Sequence, residues 1–582
     1  MAYRLVVNAK RTQRDEAINE TAAITTRELS EEDQRIVSSS ACQIVQAIKN
    51  GQWTSTKVVT AYIKSAIRAQ DETNCITEVL FADALKIAGE LDAHFAATNE
   101  LKGPLHGVPI TFKDLIDIKG YDSSMGFSQW ANKPAQADAE LVRHIREAGG
   151  VPMAKTNVSQ GLANFECSNP LWGVTKNPYN AKFIPGGSTG GEGALLAMGG
   201  SAIGWGSDVG GSVRIPAHFC GLYCLKPSSG RISISGTVDP SPGFKGITTV
   251  LGPMARSVQD VELASRVVFG KSADYSSAPV LYRGVQLAQK LKFGYYFNDG
   301  MARITPACRR AVSETVEALR RQGHECIEFE LPSPEKASEI YIALTAASGN
   351  KDFFKNKGPD PTDPNLELAL AYVPGFLHTM VWWYLKRADP VLARVWKVST
   401  EKSAYEYTNW EVKKDAWIHQ FHEKVSCPYI CKAIYENLGQ VWDAQGFDGI
   451  ICPGMASPAL IHNATKYLLA LATAALFYNI LDCPVGSIPV TRVDPKLDAL
   501  PEDWLSTRSN VPSSKELDKM LYKGKWAYDA DAMGGLPVGI QLVGKRWEDE
   551  KVVEMMKVVD DALGERGFGP DGWERWKAAH SG

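Results

Sequence analysis

Between Gly186 and Ala217 the chain reads GGSTGGEGALLAMGGSAIGWGSDVGGSVRIPA, 32 positions with eleven glycines, four serines and no histidine. So many missing side chains let backbone segments approach one another and let main-chain N–H groups face a ligand directly. Phosphate binding is a poor fit. A P-loop needs a Lys-Ser/Thr pair after its last glycine, and a dinucleotide fingerprint needs a strand directly before it and an acidic residue about twenty positions on. The lysine is missing, and the lead-in NPYNAKFIPGG has no strand pattern.

The serines point to nucleophilic chemistry in one of two ways. Gly186-Gly187-Ser188-Thr189-Gly190 satisfies G-x-S-x-G, the elbow that would make Ser188 the nucleophile of an α/β-hydrolase esterase. Pro185 and the lack of a preceding apolar strand speak against it, and Ser212 in Ser207-Asp-Val-Gly-Gly-Ser-Val-Arg is left without a role. If Ser212 attacks a carbonyl instead, Gly210 and Gly211 clear the approach. The N–H groups of Val209, Gly210, Gly211 and Ser212 are then candidates for an oxyanion hole, where one donor is worth about 3 kcal/mol.

A serine needs a base. His218 is the imidazole of this stretch, six residues from Ser212. A lysine desolvated among apolar groups could serve as a neutral amine. Lys113 in Gly107-Val-Pro-Ile-Thr-Phe-Lys-Asp and Lys155 in Gly150-Val-Pro-Met-Ala-Lys-Thr each end an apolar run. The ordinary expectation for a strand-end lysine is a solvated terminus, and spacing does not choose between the two.

These residues carry a resemblance to the amidase signature family, through Gly186-Gly187-Ser188-Thr189-Gly190-Gly191 and Asp208-Val-Gly-Gly-Ser-Val-Arg-Ile-Pro-Ala. Gly107 to Asp114, Cys167-Ser-Asn-Pro and Gly535 to Gly544 extend the similarity over roughly residues 101 to 544. The resemblance implies a Ser-cis-Ser-Lys triad, with Ser212 as nucleophile, Ser188 as bridge after a cis peptide from Gly187, and Lys113 as base. It also implies an acyl-enzyme, an amide as small-molecule substrate, a substrate-facing Thr189, and no metal or organic cofactor. The chain departs from the family at Ser207, where many members carry threonine, and at Thr189, where many carry serine. Arg214 is expected to pair with Asp208 rather than with a substrate carboxylate. The pattern, including Gly103-Pro-Leu-His-Gly and Ser123-Ser-Met-Gly-Phe, looks most like the fungal acetamidase group, with the fatty acid amide hydrolases next. A glutaminase subunit of an amidotransferase complex and a non-catalytic relative are the alternatives.

Elsewhere, Ser40-x-x-Gln43 is a capping box, and Val59, Tyr62, Ile63, Ala66 and Ile67 recur at helical spacing, so residues 1–100 are expected to be a helical region packing on the core. Val108–Phe112, helical Leu141–Ala148 and Val151–Ala154 then alternate, and Phe447–Cys452 and Leu536–Val543 add apolar runs. The expectation is an α/β fold with a twisted mixed sheet surrounded by helices, one continuous domain whose catalytic part is 101–582. Asp494–Lys519 is polar and reads as a surface excursion.

Tyr467–Val490 is apolar but broken by Asn479, Asp482 and Pro484, which favours a buried helix and strand over a transmembrane segment. Val373, Phe376, Leu377, Met380, Val381 and Tyr384 share a helical spacing beside Trp382 and Trp383, which suits an acyl-pocket wall or plain helix packing.

With 63 basic against 66 acidic residues, no large field draws the chain to nucleic acid. The eleven cysteines form no disulfide framework, Cys220/Cys224 and Cys427/Cys431 lack a second metal-ligand pair, and His419/His422 reads as helix surface. A cytoplasmic location is expected, with a homodimer left open.

Overall fold

Strands β1 (Ile76–Val79), β2 (Pro109–Lys113), β3 (Val151–Thr156), β4 (Ser168–Asn169), β5 (Gly173–Val174), β6 (Ile203–Asp208), β7 (Tyr223–Lys226), β8 (Val250–Ala255), β9 (Lys292–Tyr295), β10 (Glu325–Glu328), β11 (Gly449–Pro453), β12 (Val485–Arg492) and β13 (Pro537–Val543) follow one another along the chain. The computed structural model describes residues 2–25, 27–272, 274–422, 442–505 and 512–580. Among these, eleven strands join one sheet in the order β1-β3-β2-β6-β8-β7-β12-β13-β11-β9-β10, and β4 and β5 form a separate ribbon. β3, β2 and β6 run parallel, as do β11, β9 and β10, with antiparallel pairs between the two groups. The mixed α/β architecture expected from the alternating apolar runs is present.

The central strands are apolar because helices cover both faces. Every residue of β2, β3, β6, β8, β11 and β13 is buried. Helix Glu140–Glu147 buries Leu141, Val142 and Ile145 between β2 and β3, and the Tyr467–Val490 stretch resolves into the buried helix Thr473–Ile480 followed by β12. Among the described residues no helix is long and apolar enough to cross a membrane.

Residues 2–98 supply the helices Ala2–Thr25, Glu31–Val37, Ala41–Lys49, Ser55–Thr73 and Phe81–Thr98. The capping box is in place: Gln43 N–H donates to Ser40 Oγ at 3.2 Å, and Ser40 N–H donates to Gln43 Oε1 at 2.8 Å. This region is not wholly helical, because β1 pairs antiparallel with β3 in the main sheet. Asp494–Lys519 likewise differs from a simple surface excursion. Asp498 is buried against the Arg310 guanidinium (2.8 Å), and Ser514 caps a helix at Lys515–Lys523.

Candidate active site

Strand geometry decides which lysine meets the serine block. Side chains alternate along a strand, so Thr111 and Lys113 share one face of β2 while Phe112 takes the other. In the parallel ladder Phe112 pairs with Lys155, and Lys113 with Thr156. Lys155 therefore lies on the opposite face from Lys113, where its ammonium meets Ser123 Oγ (2.6 Å) and Asp114 Oδ1 (3.4 Å). The Lys113 face is covered by helix Gly190–Ala197, which directly follows Ser188. A Cβ on Gly204 of β6 would lie 2.2 Å from Glu192 Oε1, so this glycine of the block exists to let the helix sit on the sheet.

Neither lysine is a solvated terminus; both are fully buried. Lys113 Nζ lies 2.7 Å from Ser188 Oγ and 2.9 Å from Ser207 Oγ, and it donates to the Ser207 carbonyl at 3.3 Å. Burial lowers its pKa to about 7, outweighing the opposite pull of the Asp208 carboxylate. The Gly187–Ser188 peptide is cis.

The turn bearing Ser188 is laid against the segment bearing Ser212. Thr189 N–H donates to the Ser212 carbonyl at 3.3 Å, and a Cβ on Gly186 would lie 2.8 Å from Pro216 Cα. Ser212 is partly exposed, whereas Ser188 is buried. No strand leads directly into the Ser188 turn, so the strand-to-helix elbow is not built here.

Two expected roles change, and the alternative base His218 drops out. Gly211 N–H donates to Asp208 Oδ1 at 2.8 Å, which removes it from the oxyanion-hole set. No acceptor faces the N–H groups of Val209, Gly210 and Ser212 among the described residues. Thr189 is fully buried and its hydroxyl donates to Ser207 O at 3.5 Å, so it faces the protein interior and not a substrate. His218 is no base: burial lowers its pKa to about 4, its Nδ1 accepts Gly539 N–H (2.9 Å), and its Nε2 faces Ser457 O (3.1 Å).

Arg214 pairs with Asp208, as expected, through Nε and Nη2 at 3.0 and 2.9 Å. Its remaining donors go to Ala475 O, Gln541 Oε1 and Asn479 Oδ1 at 2.8, 2.8 and 2.5 Å. All five guanidinium N–H groups are thus engaged. Burial by itself would raise the Asp208 pKa, but Arg214 holds it well below the usual carboxylate range. Asn479 and Gln541 escaped the sequence reading as members of this cluster. The signal for Asn479 was the polar break it makes in an apolar stretch.

Trp383 is 56% exposed, Phe376 68% and Tyr384 68%, and helix Gly375–Ala388 buries Leu385 alone among its residues. Among the described residues, Trp383 therefore neither walls an enclosed acyl pocket nor packs inward. It borders a shallow cavity of about 400 Å³ with Tyr384, Arg387 and Ala388. Cys220 and Cys224 are buried, no group of potential metal ligands assembles among the described residues, and Cys427, Cys431 and the His422 side chain lie outside them.

Known proteins resemble this chain in sequence and fold. The Amidase family model matches residues 57–553. Amidase 1 of Gibberella moniliformis is 31% identical over 96% of this chain and 99% of its own length. The acetamidase of Aspergillus oryzae is 32% identical over 92% of each chain. A solved fatty acid amide hydrolase superposes with a TM-score of 0.78 at 26% identity, covering 96% of this chain and 90% of its own. With a family match over most of its length and full-length relatives above 30% identity, the chain belongs to the amidase signature family of hydrolases that act on amide bonds.

Proposed function

We propose that the chain hydrolyses uncharged carboxylic acid amides to the acid plus ammonia or an amine, through an acyl-enzyme on Ser212. The observation that carries this reading is the Lys113–Ser188 contact of 2.7 Å on a fully buried lysine whose pKa burial lowers to about 7. At neutral pH a large fraction of Lys113 is then neutral amine, a competent proton acceptor.

Lys113 takes the Ser188 hydroxyl proton as Ser188 takes that of Ser212, and Ser212 Oγ bonds to the amide carbon. The carbonyl oxygen becomes an oxyanion facing the N–H groups of Val209, Gly210 and Ser212. The proton returns through Ser188 to the amide nitrogen, the C–N bond breaks, and the amine leaves. Water then attacks the ester with its proton drawn along the same relay, and the acid departs as Ser212 is regenerated. Partial exposure of Ser212 against full burial of Lys113 suits this division of labour. Engagement of all five Arg214 donors argues for a neutral substrate, since no guanidinium is left there for a carboxylate.

Incubation of the purified chain with a fluorophosphonate probe, followed by peptide mass spectrometry, tests this. An adduct on Ser212 that disappears in Lys113→Ala supports the reading, alongside ammonia release from acetamide. An adduct on Ser188, or none, overturns it.

A further inference from the structure

The backbone around Ser212 is pinned group by group. Gly211 N–H and Val213 N–H donate to the two Asp208 oxygens at 2.8 and 3.2 Å. The Gly211 carbonyl accepts Ile215 N–H at 2.8 Å, and the Ser212 carbonyl accepts Thr189 N–H at 3.3 Å. All of these partners lie inside the glycine-serine block. The Val209 carbonyl is different: it accepts the Tyr341 hydroxyl at 3.3 Å, from a helix at Pro334–Thr345 and 132 residues away in sequence.

That hydroxyl sits tightly on the loop. A Cβ on Gly210 would lie 2.5 Å from Tyr341 Oη and 2.8 Å from Leu476 Cδ2, so residue 210 has no room for a side chain. The Val209–Gly210 peptide is trans, and in a planar trans peptide the carbonyl and the N–H point in opposite directions. Holding the Val209 carbonyl toward Tyr341 therefore turns Gly210 N–H to the far side of that plane. By the same geometry, holding the Gly211 carbonyl to Ile215 turns Ser212 N–H away. Gly210 N–H and Ser212 N–H carry no acceptor among the described residues.

We propose that Tyr341 is a positioning residue for amide hydrolysis: by holding the Val209 carbonyl, its hydroxyl aims Gly210 N–H at the developing oxyanion. This role requires Ser212 to be the nucleophile, as proposed above. Tyr341 itself touches none of the reacting atoms. Its hydroxyl matters because glycine at 210 lets the backbone rotate through conformations closed to other residues, so an unpinned peptide can swing its donor away. A donor aimed where charge develops stabilises the tetrahedral state more than the bound amide, so kcat depends on it and KM hardly does.

Tyr341→Phe keeps the ring and deletes the hydrogen bond. The expected result is a fall in kcat for a primary amide of about ten- to a hundredfold. Affinity for a trifluoromethyl ketone, which adds to the nucleophile as a tetrahedral oxyanion, weakens by a similar factor. KM, the melting temperature and the pH midpoint of activity stay at wild-type values.

Unchanged kcat and ketone affinity in the folded variant, with the wild-type probe adduct on Ser212, would overturn the positioning role while leaving the nucleophile intact. A parallel loss of melting temperature and KM would also overturn it, because the hydroxyl would then merely support packing. A wild-type adduct on another residue removes the Ser212 reading itself, and this role with it.

Discussion

Lys113 Nζ and Ser188 Oγ meet at 2.7 Å across the join between β2 and the turn that precedes helix Gly190–Ala197. The contact follows from strand alternation: Lys113 shares the helix-covered face with Thr111, whose hydroxyl donates to Glu192 of that helix. Lys155, one strand over on the opposite face, has no route to it.

Because burial lowers the Lys113 pKa to about 7, the neutral amine is lost as pH falls below that value and recovered above it. Acylation should therefore rise through about pH 7 to a plateau, falling about tenfold per unit on the acid side. Single-turnover rates between pH 5 and 9 measure this, and a flat profile would contradict the lysine base. Lys113→Ala should lower kcat by about 10²- to 10⁴-fold at the plateau.

Ser188→Ala interrupts the relay but leaves the Ser212 hydroxyl in place. Amide turnover should drop by at least about a hundredfold, with slow residual fluorophosphonate labelling of Ser212. Ser212→Ala should abolish both. Retained labelling in Ser212→Ala would move the nucleophile elsewhere.

Removing Arg214 from the buried Arg214–Asp208 pair (2.9 Å) leaves an uncompensated carboxylate, the same group that accepts the N–H groups of Gly211 and Val213. Arg214→Ala should cost about 3–5 kcal/mol of stability, read by urea denaturation, and should lose activity as well. A double variant that also neutralises Asp208 should recover part of the stability.

Glu192 is fully buried between Thr111 and Thr156, and burial raises its pKa to about 8 against the hydrogen bonds they donate. A carboxyl with a raised folded pKa adds stability that is complete below its ordinary value near 4.5 and declines as pH climbs through about 8. The urea midpoint of the wild type should therefore fall between about pH 5 and 9 relative to that of Glu192→Gln. Parallel curves would show that Glu192 stays charged in the fold.

Trp383 is 56% exposed, so Trp383→Ala should change stability by no more than about 0.5 kcal/mol. The ratio of medium-chain amide to acetamide hydrolysis should also stay constant. A selective loss of medium-chain turnover would place the indole in the substrate path.

Features decided within a few residues were legible in the sequence alone: the Ser40–Gln43 cap, the apolar strands ending near Lys113 and Lys155, the buried helix that contains Asn479, and the glycines that bare the backbone beside Ser212. Periodicity, capping and side-chain absence are local properties, so a linear reading can reach them. The Arg214–Asp208 pair was also within reach, since its members are six residues apart.

Tertiary structure decided the rest, because each remaining question turned on a face or a partner supplied from far along the chain. The ladder register that pairs Phe112 with Lys155 sends the two strand-end lysines to opposite sides of the sheet, a choice their near-identical flanks could not express. Asp208 engages Gly211 N–H while Tyr341, from 132 residues away, holds the Val209 carbonyl, so the geometry of the loop before Ser212 depends on two side chains as well as on its glycines. Asn479 and Gln541 complete the Arg214 cluster from 265 and 327 residues away. The apolar helix bearing Trp383 shows the converse: its spacing suited burial, but among the described residues no neighbouring element covers that face, and only the packing of whole elements could reveal it.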